Sequence, residues 1–233
     1  MGELKYTLIG DGSSDKALIN IINWLLNDLY PKMAIRGEFA DFREFKDPPK
    51  IGDIQNQIKY AKYYYPFDIL FYHRDGESNE KGIIGKRKSE IFSNVNNEIK
   101  VDLLVCVVPI VMMESWLLFD LEAIKKAAGN RKFAGNVELP KMKDIENKPN
   151  TKLYLHNILK RVSCKKGRSL DKFNLNYAVH LIAENIEDFS KLRELSSFIE
   201  FQNDLKKSVD KFNFDKLSEC FEQPNDHAKR DKF

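Results

Sequence analysis

Three short stretches of the chain carry side chains that could bind a phosphate or a metal ion: GDGSS at 10–14, HRDGE at 73–77 and the Glu114 of MMESWLLFD. Carboxylates drawn together repel one another, and burial sharpens the conflict. A divalent cation removes it, and oxygen-only donors suit Mg2+ or Mn2+. Asp11, Asp75 and Glu114 are the candidate acids, while Gly10 and Gly12 would let backbone approach a phosphate. A helix opening near Ser14 would favour an anion at its N-terminus. Each residue also has a plainer reading. Asp11 and Ser13 could cap the first helix, Arg74 and Glu77 could form a loop ion pair, and Glu114 could be an acid favoured by a helix dipole. His73 could be a hydrogen-bonded strand end, and Asp120 a solvated helix residue. None of these readings explains why three predicted strands all end in acid.

For the acids to meet, the elements before them must stop at one edge. ELKYTLI at 3–9 suits a buried strand. Behind it Ala17, Leu18, Ile21, Ile22, Leu25, Leu26 and Leu29 recur at helical spacing, with Ser13 or Ser14 available as N-cap. Residues 33–45 alternate weakly and suit an edge strand. Ile51, Ile54, Ile58, Ala61 and Tyr65 mark a second helix, stopped by Pro66. FDILFYH is almost continuously apolar, which favours a central parallel strand. A polar loop and a helix through roughly residue 99 follow. VDLLVCVVPIV is the next buried strand, and ESWLLFDLEAIKKAAG a helix with Gly129 as C-cap candidate.

This alternation predicts an α/β fold, a mostly parallel Rossmann-like sheet with right-handed crossovers and helices on its faces. Ligands of such sheets sit outside the carboxyl ends of the strands, the edge where Asp11, Asp75 and Glu114 would fall. The expected organisation is an α/β core over 1–129, a connecting loop over 130–150, a helical C-terminal region over 151–222 packed on the core, and a polar tail over 223–233.

Hydrophobic residues are 42% and charged residues 31%, and 38 Lys+Arg against 35 Asp+Glu give a formal charge of +3. That excludes a polycation, so any nucleic-acid surface must come from local clusters. Cys106, Cys164 and Cys220 form no CxxC pair, which predicts reduced thiols rather than zinc or disulfides. The start MGELKYTLIG lacks the apolar core of a secretory signal. LLVCVVPIVMM is about half the ~20 residues of a membrane span and is cut by Pro109. The expectation is a cytoplasmic protein without membrane contact.

GDGSSDKALI resembles the first motif of Toprim domains, an acid and Gly ending the first strand before a Ser/Thr-Asp/Glu pair. FYHRDGES resembles the second, an Asp-x-Asp at a strand end, with His73 in the first position and Asp75 in the second. VPIVMMESWLLFDLEAI is similar to the E-x-W-L-L-x-D signature of a bacterial Toprim-like family long catalogued as a domain of unknown function. Lys148-Pro149 with Leu153, and Ser197-Phe198 with Phe201, resemble later stretches of that family, so the likeness runs over roughly residues 4–207.

The resemblance implies a Toprim-like domain related to OLD-type nucleases, with a place in bacterial anti-phage or abortive-infection loci beside an ABC- or AAA-type ATPase. Asp11 stands where Glu is usual, and His73 is a poorer Mg2+ ligand than Asp. Two hypotheses follow. In the first, the chain is a metal-dependent nuclease on DNA or RNA, with Asp75 and Glu114 holding Mg2+ or Mn2+ and Asp11 as further ligand or base. Glu77 and His73 are additional candidate ligands, and Gly12, Ser13, Arg74, Lys86 and Arg87 candidate phosphate contacts. KKGR at 165–168 is a second basic cluster. In the second, the chain is a catalytically degenerate Toprim-like subunit that binds nucleic acid or regulates an ATPase partner. A flavodoxin- or Rossmann-type nucleotide module is a third class, supported only by GDG. Tyr60, Tyr63, Tyr64 and Tyr65 could stack on bases, but on a helix they point several ways, which favours a mixture of core and surface positions. Phe189, Leu192, Leu195, Phe198, Phe201 and Leu205, at helical spacing, could pack on the sheet or form a homodimer surface.

Overall fold

Four short strands, Leu4–Ile9 (β1), Ile35–Phe39 (β2), Ile69–His73 (β3) and Leu104–Val107 (β4), pair in parallel in the order β2-β1-β3-β4. The structure, a computed structural model, describes residues 3–95, 101 and 103–222; the tail at 223–233 lies outside them. β3 is buried at every position, from Ile69 to His73. It lies between β1 and β4, as its unbroken apolar run requires, because a central parallel strand is covered on both faces. β2 is the edge strand, and its alternating partial exposure matches its weaker pattern.

Successive residues of each strand point to opposite faces, which sorts the core into two layers. Tyr6, Leu8, Phe71, Val105 and Val107 meet the helix Leu18–Leu29 (α1) and the later helices on one side. Ile9, Leu70, Tyr72 and Cys106 meet Ile54–Tyr64 (α2) and Ile83–Ser93 (α3) on the other. No helix among the described residues is long and apolar enough to cross a membrane.

The remaining helices are Leu121–Ala127 (α4), Met142–Ile145 (α5), Thr151–Ser163 (α6), Arg168–Asp171 (α7), Leu175–Asn185 (α8) and Ser196–Glu222 (α9). Phe198, Phe201 and Leu205 of α9, with Phe189, Leu192 and Leu195 before it, are buried in the same core layer as the sheet. The Phe201 ring lies 6.1 Å from Phe71 and 5.8 Å from Trp116, and Phe198 is 5.2 Å from Trp116. Each buried Phe side chain contributes roughly 1.5–3 kcal/mol of apolar transfer, before chain entropy is counted. This aromatic stripe therefore packs on the sheet.

Local chemistry moves several boundaries. The expected helix over 114–128 is broken into a 3-10 turn, Met113–Leu117, and α4. Asp120 is not a solvated helix residue but the N-cap of α4, accepting from the Ala123 N–H at 2.9 Å. Gly129, at φ +73°, closes α4 as expected: its N–H reaches Lys126 O at 3.0 Å and Asn130 N–H reaches Lys125 O at 3.0 Å, a Schellman pair. Neither Ser13 nor Ser14 caps α1; the chain enters it through a 3-10 turn, Ser13–Ala17, with Gly12 before it. Ile51 lies outside α2 and is 76% exposed. α3 ends at Ser93, and the rest of the helix expected to residue 99 falls largely outside the described residues.

Candidate functional site

Register fixes where the strand ends fall. Ile9 is level with Tyr72, and Tyr72 with Cys106, so the chain leaves β1, β3 and β4 in one row. β1 and β3 are neighbours, about 4.8 Å apart. β1 leads outward to β2, and the chain then crosses back over β1 to β3. The crevice beyond β1 and β3 is therefore the switch point where open parallel sheets seat ligands.

After β1 the 3-10 turn carries Asp15 back beneath the strand end. Its Oδ2 accepts from the Gly12 N–H at 2.9 Å, and the residue is buried. Gly10 makes the room, since a Cβ there would lie 2.7 Å from the Asp15 Cβ. Gly12 is extended and open, so its lack of a side chain is not required by packing. Asp11, partly exposed, stands on the rim.

After β3, His73 is 1% exposed. Its Nδ1 lies 3.0 Å from the Val107 carbonyl, and its Nε2 3.4 Å from Asp75 Oδ1 and 3.8 Å from Asp15 Oδ2. Burial alone would push the imidazolium down, but Asp15, Asp75 and the Val107 carbonyl outweigh it and raise the pKa to about 9. At neutral pH His73 is thus a cation, donating from Nδ1 to the carbonyl and facing two carboxylates with Nε2. Burial works against ionisation of Asp75 as well. The His73 cation, the Met113 N–H at 2.8 Å and Lys152 overcome it and hold the carboxyl below its ordinary value.

The loops after β3 and β4 are zipped together. Arg74 N–H donates to Val107 O, Gly76 N–H to Pro109 O at 3.0 Å and Glu77 N–H to Val111 O at 2.7 Å. A Cβ on Gly76 would sit 3.0 Å from the Pro109 carbonyl, so the close approach needs glycine. Glu77 and Val111 both hold positive φ, +61° and +67°, a costly conformation for a β-branched residue. The zipper sets the turn that presents Glu114, whose side chain is buried with Oε1 3.6 Å from Lys152 Nζ. Burial raises the Glu114 carboxyl above its ordinary value, Asp75 and Asp15 push it further, and Lys152 and its own N–H oppose them. Asp11 is likewise raised by burial and by Asp15 and Asp75, against His73 and Arg74.

Asp11, His73, Asp75 and Glu114 therefore share one electrostatic neighbourhood at one sheet edge. Gly12 and Ser13 line it beside Asp11. The other candidates lie elsewhere. Glu77 turns outward, 67% exposed, to pair with Arg87. Arg87 also bonds Glu90 at 2.9 Å, and Arg74 lies 3.8 Å from Glu90, so both arginines serve ion pairs. Lys86 is exposed on α3, and Lys88 beside it pairs with Glu200 and Asp204 of α9. Two members of the site were not among the sequence candidates, Asp15 and Lys152. Asp15 could have been found from its spacing: an acid three residues past Gly12 is where a capping-box acid falls. Lys152 had no such signal, since it arrives from α6.

Mg2+ or Mn2+ matches this edge in donor chemistry, because Asp11, Asp75 and Glu114 offer oxygen donors and burial disfavours the charge of two of them. The spacing is not ready-made: among the described residues no three His, Cys, Asp or Glu side chains are gathered as a metal group. The His73 cation already answers Asp15 and Asp75. No protein-family model, curated protein or solved structure matches the chain.

Proposed function

We propose that the chain hydrolyses phosphodiester bonds of DNA or RNA at the edge formed by Asp11, Asp75 and Glu114, with Mg2+ or Mn2+ as cofactor. The observation that supports this is the convergence of acids from three distant segments on the switch-point crevice, two of them raised above their ordinary values chiefly by burial. A cation held by Asp75 and Glu114 would, when bound, polarise a phosphate and lower the pKa of a bound water. The chain's own residues supply the rest. His73 keeps Asp75 ionised, and the Met113 N–H fixes its orientation. Asp11, partly exposed on the rim and raised above its ordinary value chiefly by burial, suits a base that takes a proton from water. Lys152, on the rim beside Glu114, suits a phosphate contact.

A second reading, a Toprim-like subunit that binds nucleic acid or regulates an ATPase partner without cleaving, is favoured by one observation. His73 is a fixed cation between Asp15 and Asp75, where a pair of acids would otherwise demand a metal. Cytoplasmic anti-phage defence and an ABC- or AAA-type partner rest on the motif resemblance. The test is cleavage of single- and double-stranded DNA and RNA with Mg2+ or Mn2+. Asp75→Ala and Glu114→Ala should each lower the rate about 100-fold or more. Parent-level cleavage by both variants would discard the site. Nucleic-acid or ATPase binding without cleavage by the parent would select the second reading.

A further inference from the structure

Beside Asp11 the crevice opens into a cavity of about 230 Å3 between the end of β1 and the loop that joins β2 to α2. Phe42, Pro48 and Pro49 form apolar walls, and Ile51, 76% exposed, stands at its border. Gln57 also lines it. This glutamine interrupts the apolar stripe of α2 and is only 2% exposed. Its Oε1 accepts from the Tyr72 hydroxyl. Its amide nitrogen meets no protein acceptor among the described residues and is open to the cavity. A donor that faces a cavity instead of a protein partner is available to an acceptor on whatever occupies it.

Size and lining narrow the ligand. The volume falls below the ~300–1,000 Å3 typical of drug-sized ligands, and suits one planar ring system rather than a longer segment. Asp41 and Arg43, paired with each other, also line the cavity, so Gln57 is its uncharged edge-reading group. Apolar faces with an edge-reading amide are how proteins hold an unstacked base. The same cavity is continuous with Asp11, Gly12 and Ser13, where a phosphate would lie. We propose that this cavity receives the base of the nucleotide whose phosphate sits at the acid edge, with the Gln57 amide donating to an acceptor on the base. A base stacked inside a duplex cannot enter, so the substrate is single-stranded or has an unpaired nucleotide at the cut. The assignment rests on the phosphodiester reading for its phosphate end only.

The test uses the full chain, titrated with adenosine, guanosine, cytidine and uridine 5′-monophosphates and with ribose 5-phosphate, with and without Mg2+. At least one mononucleotide should bind roughly tenfold or more tighter than ribose 5-phosphate. Gln57→Met, made together with Tyr72→Phe so that no hydroxyl is stranded, should bring that mononucleotide close to ribose 5-phosphate. Ile51→Asp, at an exposed position where folding is not at stake, should do the same in part. Equal binding of all five ligands, or parent-like binding by both variants, overturns the assignment. The two proposals fail separately. Cleavage without a base-dependent gain removes the cavity assignment and spares the nuclease, whereas a base-dependent gain without cleavage by the parent does the reverse.

Discussion

Replacing His73 with glutamine should remove a specific slope from the dependence of stability on pH. The ring is 1% exposed, and its pKa rises from 6.5 to about 9 in the folded chain. Below pH 6.5 folded and unfolded chains both hold the proton, and the contribution is complete. As pH rises, the unfolded chain releases the proton first, so stability falls and the contribution is gone once pH passes about 9. A gap of about 2.5 pH units at ~1.4 kcal/mol each corresponds to about 3–4 kcal/mol. For a chain of this length that is roughly 6–16 °C in Tm. The assay is thermal unfolding of parent and His73→Gln across this range, in chelator so that no cation competes for the acids. His156 and His180 are held below their ordinary values by burial, so they act in the opposite sense, losing stability as pH falls. Subtracting the two curves isolates His73. A difference curve that stays level from pH 6.5 to 9 would refute the buried imidazolium.

Further outcomes test neighbouring parts of the argument. Gly10→Ala drives a methyl to 2.7 Å from Asp15 and should cost about 1–3 kcal/mol in urea unfolding, as overpacking does. Glu146 accepts from Ser196 N, Ser196 Oγ and Ser197 N at 3.1, 2.8 and 2.9 Å; Glu146→Ala should cost about 2 kcal/mol as a lost cap and speed amide exchange in the first turn of α9. Mn2+ at 100 times its dissociation constant should stabilise the parent by about 2.7 kcal/mol and leave Glu114→Ala unmoved; an equal rise in both would place the cation elsewhere. Lys88→Met should cut the tie to Glu200 and Asp204 at about 1 kcal/mol, with the difference shrinking in high salt.

The strands were legible because a central parallel strand must be apolar on both faces, and FDILFYH could hardly serve otherwise. The end of α4 was legible for a similar reason, since only a glycine readily takes the left-handed conformation at 129. What the sequence concealed was set by contacts remote along the chain. The break at Asp120 looked helical because ESWLLFDL keeps helical spacing through a 3-10 turn that is held by the zipper to β3. The charge of His73 depends on Asp15, an acid 58 positions earlier, and on a carbonyl from the next strand. Arg74 and Arg87 looked free to meet phosphate, yet Glu90 of the following helix engages both, and Glu77 pairs with Arg87 rather than with its neighbour Arg74. Gln57 could have been noticed as the polar interruption of an apolar stripe, though only its emptied neighbourhood gives that meaning.

The bond from Trp116 to Ser197 has a consequence for the order in which the protein matures. The indole N–H beside the Glu114 turn donates to a hydroxyl at the start of α9, 3.1 Å away, and the rings of Phe198 and Phe201 close over it. A ribosome therefore threads out all four strands long before the segment that braces the third acid becomes available. Until that last brace arrives, a nascent chain carries the acids without the support that fixes them.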